Sequence, residues 1–140
     1  MDERIELRIA NRLDELERVA HEVERLGTRL ALPRQVIVDV QIAVDEVLTN
    51  VISYAYADTA DHLILLRMTA TDAALVIEIT DDGRPFDPSL VTPPDVATPL
   101  PERSIGGLGL HLVRKVMDDL AYRRQHDRNI LTMTKRIDTH

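Results

Sequence analysis

The chain has 140 residues, room for one domain but not for two. Hydrophobic residues make up 44% and aromatic residues only 3%, so the core is aliphatic. Duplex binding needs a cationic face and none is written here, a net charge of −7 disfavours DNA and anionic membranes as partners, and the lack of Cys excludes disulfides and thiolate metal sites. No apolar run approaches the ~20 residues of a membrane span and the first residues carry no secretory apolar stretch, so neither nucleic acid nor membrane is expected as a partner and a cytoplasmic location is the default.

Residues 3–9 alternate polar and apolar, which predicts a strand. Asn11 is placed to cap the helix that follows, with Asp14 and Glu15 in its first turn. Leu13, Leu16, Ala20, Val23 and Leu26 recur at helical spacing, and Gly27 is expected to loosen the end. Pro33 suits the first turn of a second helix reaching about Ala57, with Val36, Val40, Ala43, Val47 and Val51 on its apolar face. Strands are expected at about 62–70 and 74–81, joined by a turn at Thr71–Asp72.

The character then changes, because six of the seven prolines fall between Pro85 and Pro101. Such a segment is neither helix nor central strand, and long loops of this kind are usually functional lids. Helical pattern resumes over Gly107–Asp118, and strands at about 120–125 and 129–137 follow. The order β-α-α-β-β-loop-α-β-β predicts an α+β domain, a two-layer sandwich with helices on one face of a mixed, mostly antiparallel sheet. The five His residues are scattered without ligand spacing.

Three features do not fit a purely structural reading. Gly83 on one side of the proline-rich loop, and Gly106, Gly107 and Gly109 on the other, suggest a ligand held beneath it; two ordinary turns are the plainer alternative. The second cluster leads straight into a helix, whose free amides and macrodipole favour an anion such as phosphate. It is not a P-loop, since GxxxxGK[ST] is absent, nor a dinucleotide fingerprint, since it follows a loop. Asp81 continues the alternation of Leu75, Ile77 and Ile79 and so points to the core face. A buried carboxylate needs donors, and an adenine amine is one, whereas guanine offers a carbonyl there. A cap on the Gly83 turn is the plainer role for Asp81. Glu46 and Asn50 share a helix face at i, i+4, with small Ala43 and Ser53 nearby, a pair suited to a base and a magnesium ligand or to a solvated face.

In order, Asp45-Glu46-Val47-Leu48-Thr49-Asn50, Asp81-Asp82-Gly83 and Gly106-Gly107-Leu108-Gly109-Leu110 resemble the N box, the adenine-binding box and the second glycine box of the GHKL (Bergerat-fold) ATPases. The resemblance covers about residues 5–137 and implies a single domain over 1–140 with an ATP lid at about 84–105. The stretch Asp81 to Pro88 and the ending Asn129 to Lys135 are similar to stand-alone anti-sigma-factor serine kinases of the RsbW type. That resemblance implies ATP and magnesium as cofactors. Catalytic Glu46 would act as, or help orient, the base and Asn50 would ligate magnesium; Asp81 would hold adenine, and Gly83 would let the chain pass close to it. Gly106, Gly107, Leu108 and Gly109 would hold phosphates, joined by Arg103 and Ser104 at the end of the lid.

Asn129 occupies the place where many relatives have a Thr behind the adenine Asp, and would join the nucleotide site there. Pro85 stands where many carry a second Gly, and stiffens the start of the lid. The implied acceptor is a STAS-type antagonist, with a sigma factor or another output protein as second partner and a homodimer as the common assembly. An ATP-binding switch module without transfer, and a histidine-kinase catalytic domain acting in trans, are the alternatives.

Overall fold

The computed structural model describes residues 3–56, 58, 60–85 and 107–137. In chain order these form β1 (Glu3–Ala10), a 3-10 turn (Leu13–Glu15), α1 (Leu16–Arg29), α2 (Arg34–Tyr54), β2 (Leu63–Ala70), β3 (Ala74–Asp81), α3 (Gly107–Val116), β4 (Asp119–Gln125) and β5 (Arg128–Arg136). The five strands form one sheet in the order β1-β2-β3-β5-β4, and every neighbouring pair is antiparallel. The return strand β5 fills the slot between β3 and β4, so among the described residues the expected mostly antiparallel sheet contains antiparallel pairs throughout. Most of the expected lid lies outside the described residues, as do Arg103, Ser104 and Gly106.

Alternate residues of β2 and β3 are buried, and they join buried residues of α1, α2 and α3 in one aliphatic core. Ile9, Leu48, Ile64, Leu66, Met68, Ile77, Ile79 and Met133 are the largest of its sealed side chains. The opposite face carries cross-strand charges: Arg67 meets Glu6 at 3.1 Å and Glu78 at 3.5 Å. Solvent-screened pairs of this kind stabilise little, but they keep the outer face wet.

Several local expectations are corrected. Asn11 does not cap α1. Its side chain donates to the carbonyl of Ala60 and accepts from the amide of His62, tying the end of β1 to the segment before β2. The α-helix begins only at Leu16, after the 3-10 turn, and this resets its phase. Val19, Val23 and Leu26 are buried, while Leu13 and Ala20 are exposed.

Gly27 does not loosen the helix either. It is buried within α1, where a Cβ would stand 2.5 Å from Ile37 Cγ1, so its absent side chain lets α1 and α2 approach. The helix ends instead in a Schellman motif, with Ala31 N donating to Thr28 O, Leu32 N to Gly27 O, and Ala31 left-handed at φ 53°. Pro33 precedes α2 as its cap residue, and the helix stops at Tyr54, three residues short of the expected end.

Candidate functional site

The carboxy-terminal end of α2 is fastened to the Asp81-Asp82-Gly83 turn by backbone. Arg84 N donates to Ala55 O at 2.7 Å, and the Arg84 guanidinium caps the carbonyl of Tyr54. These are carbonyls that a helix end leaves unpaired. A Cβ on Gly83 would lie 2.5 Å from Ala55 O and 2.6 Å from Ala55 Cβ, so glycine is required here by the helix it packs on. That requirement is independent of any ligand.

Asp81 is 4% exposed, on the core face of β3 as its register implies. Its Oδ1 accepts from Gly83 N at 2.8 Å, the turn cap, and from Asn129 Nδ2 at 2.9 Å. Among the described residues no hydrogen bond reaches Oδ2. Burial pushes the carboxyl above its ordinary value, and the Asn129 amide, the Gly83 amide and the Arg124 charge pull the other way. Asn129 sits opposite Asp81 across the β3–β5 pairing and is itself 5% exposed. Its amide also donates to Arg84 O at 2.6 Å, and its oxygen accepts from Tyr122 Oη at 2.6 Å and Arg124 Nη1 at 3.1 Å.

On α2, Glu46 and Asn50 are both half-buried, and Asn50 Nδ2 donates to the Glu46 carbonyl at 2.9 Å. That bond engages the amide nitrogen and not the amide oxygen, the atom a hard cation takes. Among the described residues no cluster of three His, Asp or Glu converges on a metal site. A magnesium ion at Asn50 would therefore draw most of its oxygens from phosphate and water, its usual habit. Tyr54 continues the i, i+4 row from Asn50 and stands 45% exposed, an aromatic surface that the sequence reading passed over.

The third motif opens α3, and its other end is anchored firmly. Lys135 Nζ donates to Val116 O at 2.7 Å and pairs with the buried Asp39 carboxylate at 2.9 Å, placing the end of α3 beside the first half of α2. With Val113 sealed in the core, α3 lies along α2. Ten residues rise about 14 Å, roughly the span from Asp39 to the Glu46–Asn50 region. The amides of Gly107, Leu108 and Gly109 fall in the first turn, where a helix has no internal acceptors for them.

A fourth group, also absent from the sequence reading, flanks the turn. The His62 ring bridges Asp58 at 2.8 Å and Asp82 at 3.2 Å, and stacks on Tyr56 with centroids 4.1 Å apart. Asp58 chiefly, with Asp82 assisting, raises the His62 pKa above its ordinary value. The Tyr56 hydroxyl is buried near Asp81 and Asp82 without a hydrogen bond of normal geometry, and burial raises its pKa strongly.

Gly83 and Asn129 thus both contact Asp81, Glu46 and Asn50 lie upstream on the helix that ends against Gly83, and α3 runs beside that helix. Arg124 was legible only indirectly. It faces Asn129 once the β4–β5 hairpin is registered around His126 and Asp127.

Residues 9–135 match the family described as histidine kinase-like ATPase domain. The chain is 33% identical over 93 residues to the serine/threonine-protein kinase BtrW of Bordetella bronchiseptica, a match covering 66% of each chain. It is 28% identical over 139 residues to the serine-protein kinase RsbW of Bacillus cereus strain Q1, covering 96% of this chain and 86% of that one. A crystal structure of the RsbU and RsbW domains of Rv1364c from Mycobacterium tuberculosis superposes with a TM-score of 0.67 at 12% identity, over 96% of this chain and 32% of the other, which shows a shared fold.

Proposed function

The chain belongs to the histidine kinase-like ATPase domain family, and from that premise we propose that it is an anti-sigma-factor type kinase that transfers the γ-phosphoryl group of ATP to a serine of a STAS-type antagonist. The observation that carries the reading is the Asp81 carboxylate, buried among donors on one oxygen and open on the other. An acceptor-only group at the end of a core strand suits the exocyclic amine of adenine and repels the carbonyl of guanine. Similarity to proteins named serine kinases supports the same reading.

In this reading the amides of Gly106, Gly107, Leu108 and Gly109, with Arg103 and Ser104, neutralise the phosphates. Phosphoryl transfer asks mainly for such positioning and charge balance. Magnesium held at the Asn50 oxygen would supply further neutralisation. Glu46 takes the proton of the serine hydroxyl as its oxygen bonds to phosphorus, and the bond to the ADP oxygen breaks. Phosphate on the antagonist adds negative charge at its contact surface and would release it, freeing the kinase for a sigma factor or another output protein.

The test incubates the chain with labelled ATP, magnesium and a STAS-domain acceptor. Acid-stable label on serine, lost in Glu46→Ala, is expected. Acid-labile label would transfer the assignment to histidine phosphorylation in trans. Stable binding of nucleotide and partner with no label would leave a switch module without transfer.

A further inference from the structure

The resemblance placed Asn129 at the nucleotide, yet its amide is engaged by protein, and Arg124, which no motif singled out, lies behind it. We propose that Arg124 and Asn129 are positioning residues that orient the Asp81 carboxylate, filling Oδ1 with protein donors and presenting Oδ2 alone to an N–H edge of the ligand. The proposal rests on the adenine reading of Asp81 and adds to it how the acid is aimed.

The bonding leaves the Asn129 amide one sensible orientation. Its oxygen takes the Tyr122 hydroxyl at 2.6 Å and Arg124 Nη1 at 3.1 Å; the guanidinium can only donate and the Asp81 carboxylate can only accept, so the amide nitrogen must face Asp81. Flipped, it would set oxygen against carboxylate and nitrogen against guanidinium. Arg124 Nη1 is fixed in turn by Gly83 O at 2.8 Å. One cation therefore holds both the strand residue that donates to Asp81 and the turn whose amide donates to the same oxygen. The row Asp81–Asn129–Arg124 crosses three adjacent strands in register, so the aim is set by the sheet.

A carboxylate turned this way is useful only if ionised, since a protonated one would offer a hydrogen to the ligand amine. Burial favours the protonated form, while the Asn129 donor and the Arg124 charge oppose it. The described contacts of Arg124 run to Gly83 and Asn129, one step behind the acid. Its loss should therefore alter the acid's titration and base selectivity, and leave phosphate binding alone.

The experiment uses the full chain as wild type, Arg124→Met, which keeps the aliphatic stem, and Asn129→Ala. The Asp81 carboxyl is titrated by carbon-detected NMR without nucleotide, and ATP, GTP and inorganic tripolyphosphate are titrated with magnesium across pH. Both variants should move the Asp81 midpoint upward and weaken ATP about tenfold, the loss of one charge-assisted hydrogen bond, with tripolyphosphate unchanged. The acid limb of ATP binding should move up with the midpoint. An unmoved midpoint in Arg124→Met, or equal loss for ATP and tripolyphosphate, overturns the proposal. Wild type with no preference for ATP over GTP overturns the adenine reading instead, and the ligand-directed half of this one with it. If Asn129→Ala does not fold, Arg124→Met, altered at the exposed edge strand, carries the test.

Discussion

Asp81 occupies a position where the alternation of β3 calls for another Ile or Leu, and its cost is the reason it stands out. A buried carboxylate with donors on one oxygen only is under-coordinated by protein, which is why the open oxygen reads as a ligand contact. Asp81→Asn keeps the shape but offers an amide, and should weaken ATP binding by about tenfold or more. Asp82→Asn, at an exposed carboxylate paired with His62, should cost far less; isothermal titration of both variants would show equal losses if the assignment is wrong. Gly83→Ala has a separate origin. Its Cβ meets backbone, which cannot give way as a flexible side chain can, so a loss of about 2 kcal/mol or more in urea unfolding is expected even without nucleotide. Asp81 was legible as an inward acid because strand period alone sets its side. Its Gly83 cap was legible as a local turn and Asn129 only through the family resemblance, because the pairing of Asp81 with Asn129 joins residues far apart in sequence through strands that are not consecutive; Arg124 behind them was not legible.

At the scale of elements, the helices and strands were legible where periodicity ran long, as in α2 and β3, and blurred where local chemistry decided an end. The end of α1 is the clearest case. Gly27 looked like punctuation, but helix packing required it, and Ala31 took the left-handed position that glycine usually fills. Ala31→Gly should therefore stabilise the chain by about 0.5–1 kcal/mol, read as a higher urea midpoint at unchanged slope, because relief of left-handed strain outweighs the added freedom of the unfolded chain. The start of α1 misled in the same way, since Asn11 found long-range partners in Ala60 and His62. Lys135 and Asp39 join three elements at once, the acid also accepting from Gln35 at 2.7 Å. Removing the cation alone, in Lys135→Met, should cost about 3 kcal/mol by leaving a buried charge. Adding Asp39→Leu should recover much of that if the pair is a matter of mutual compensation. A double-mutant cycle in chemical denaturation measures it.

For the molecule as a whole, the α+β sandwich followed from the order of elements and an aliphatic composition, while the strand order did not, since nothing in the local pattern says that β5 inserts between β3 and β4. Stability should carry a pH signature from the His62 bridge. Its folded pKa is raised, so its contribution is full below the ordinary histidine value of about 6.5 and is lost as pH rises through the folded value. Asp58 is lowered, chiefly by the His62 hydrogen bond, so its share is lost only as pH falls through that depressed value. Thermal melts should thus show a decline from mildly acidic to alkaline pH that His62→Gln abolishes. A decline unchanged in that variant would assign it to other groups.

The turn at His126 and Asp127, both left-handed with φ of 53° and 61°, has a consequence for assembly. A two-residue connection of this hand closes with little loss of chain entropy, and it brings Arg124 and Asn129 face to face with no help from distant sequence. Asp81, 48 positions upstream of Asn129, therefore meets a donor and a cation that are neighbours through a local connection, so only one distant pairing is needed to complete the group.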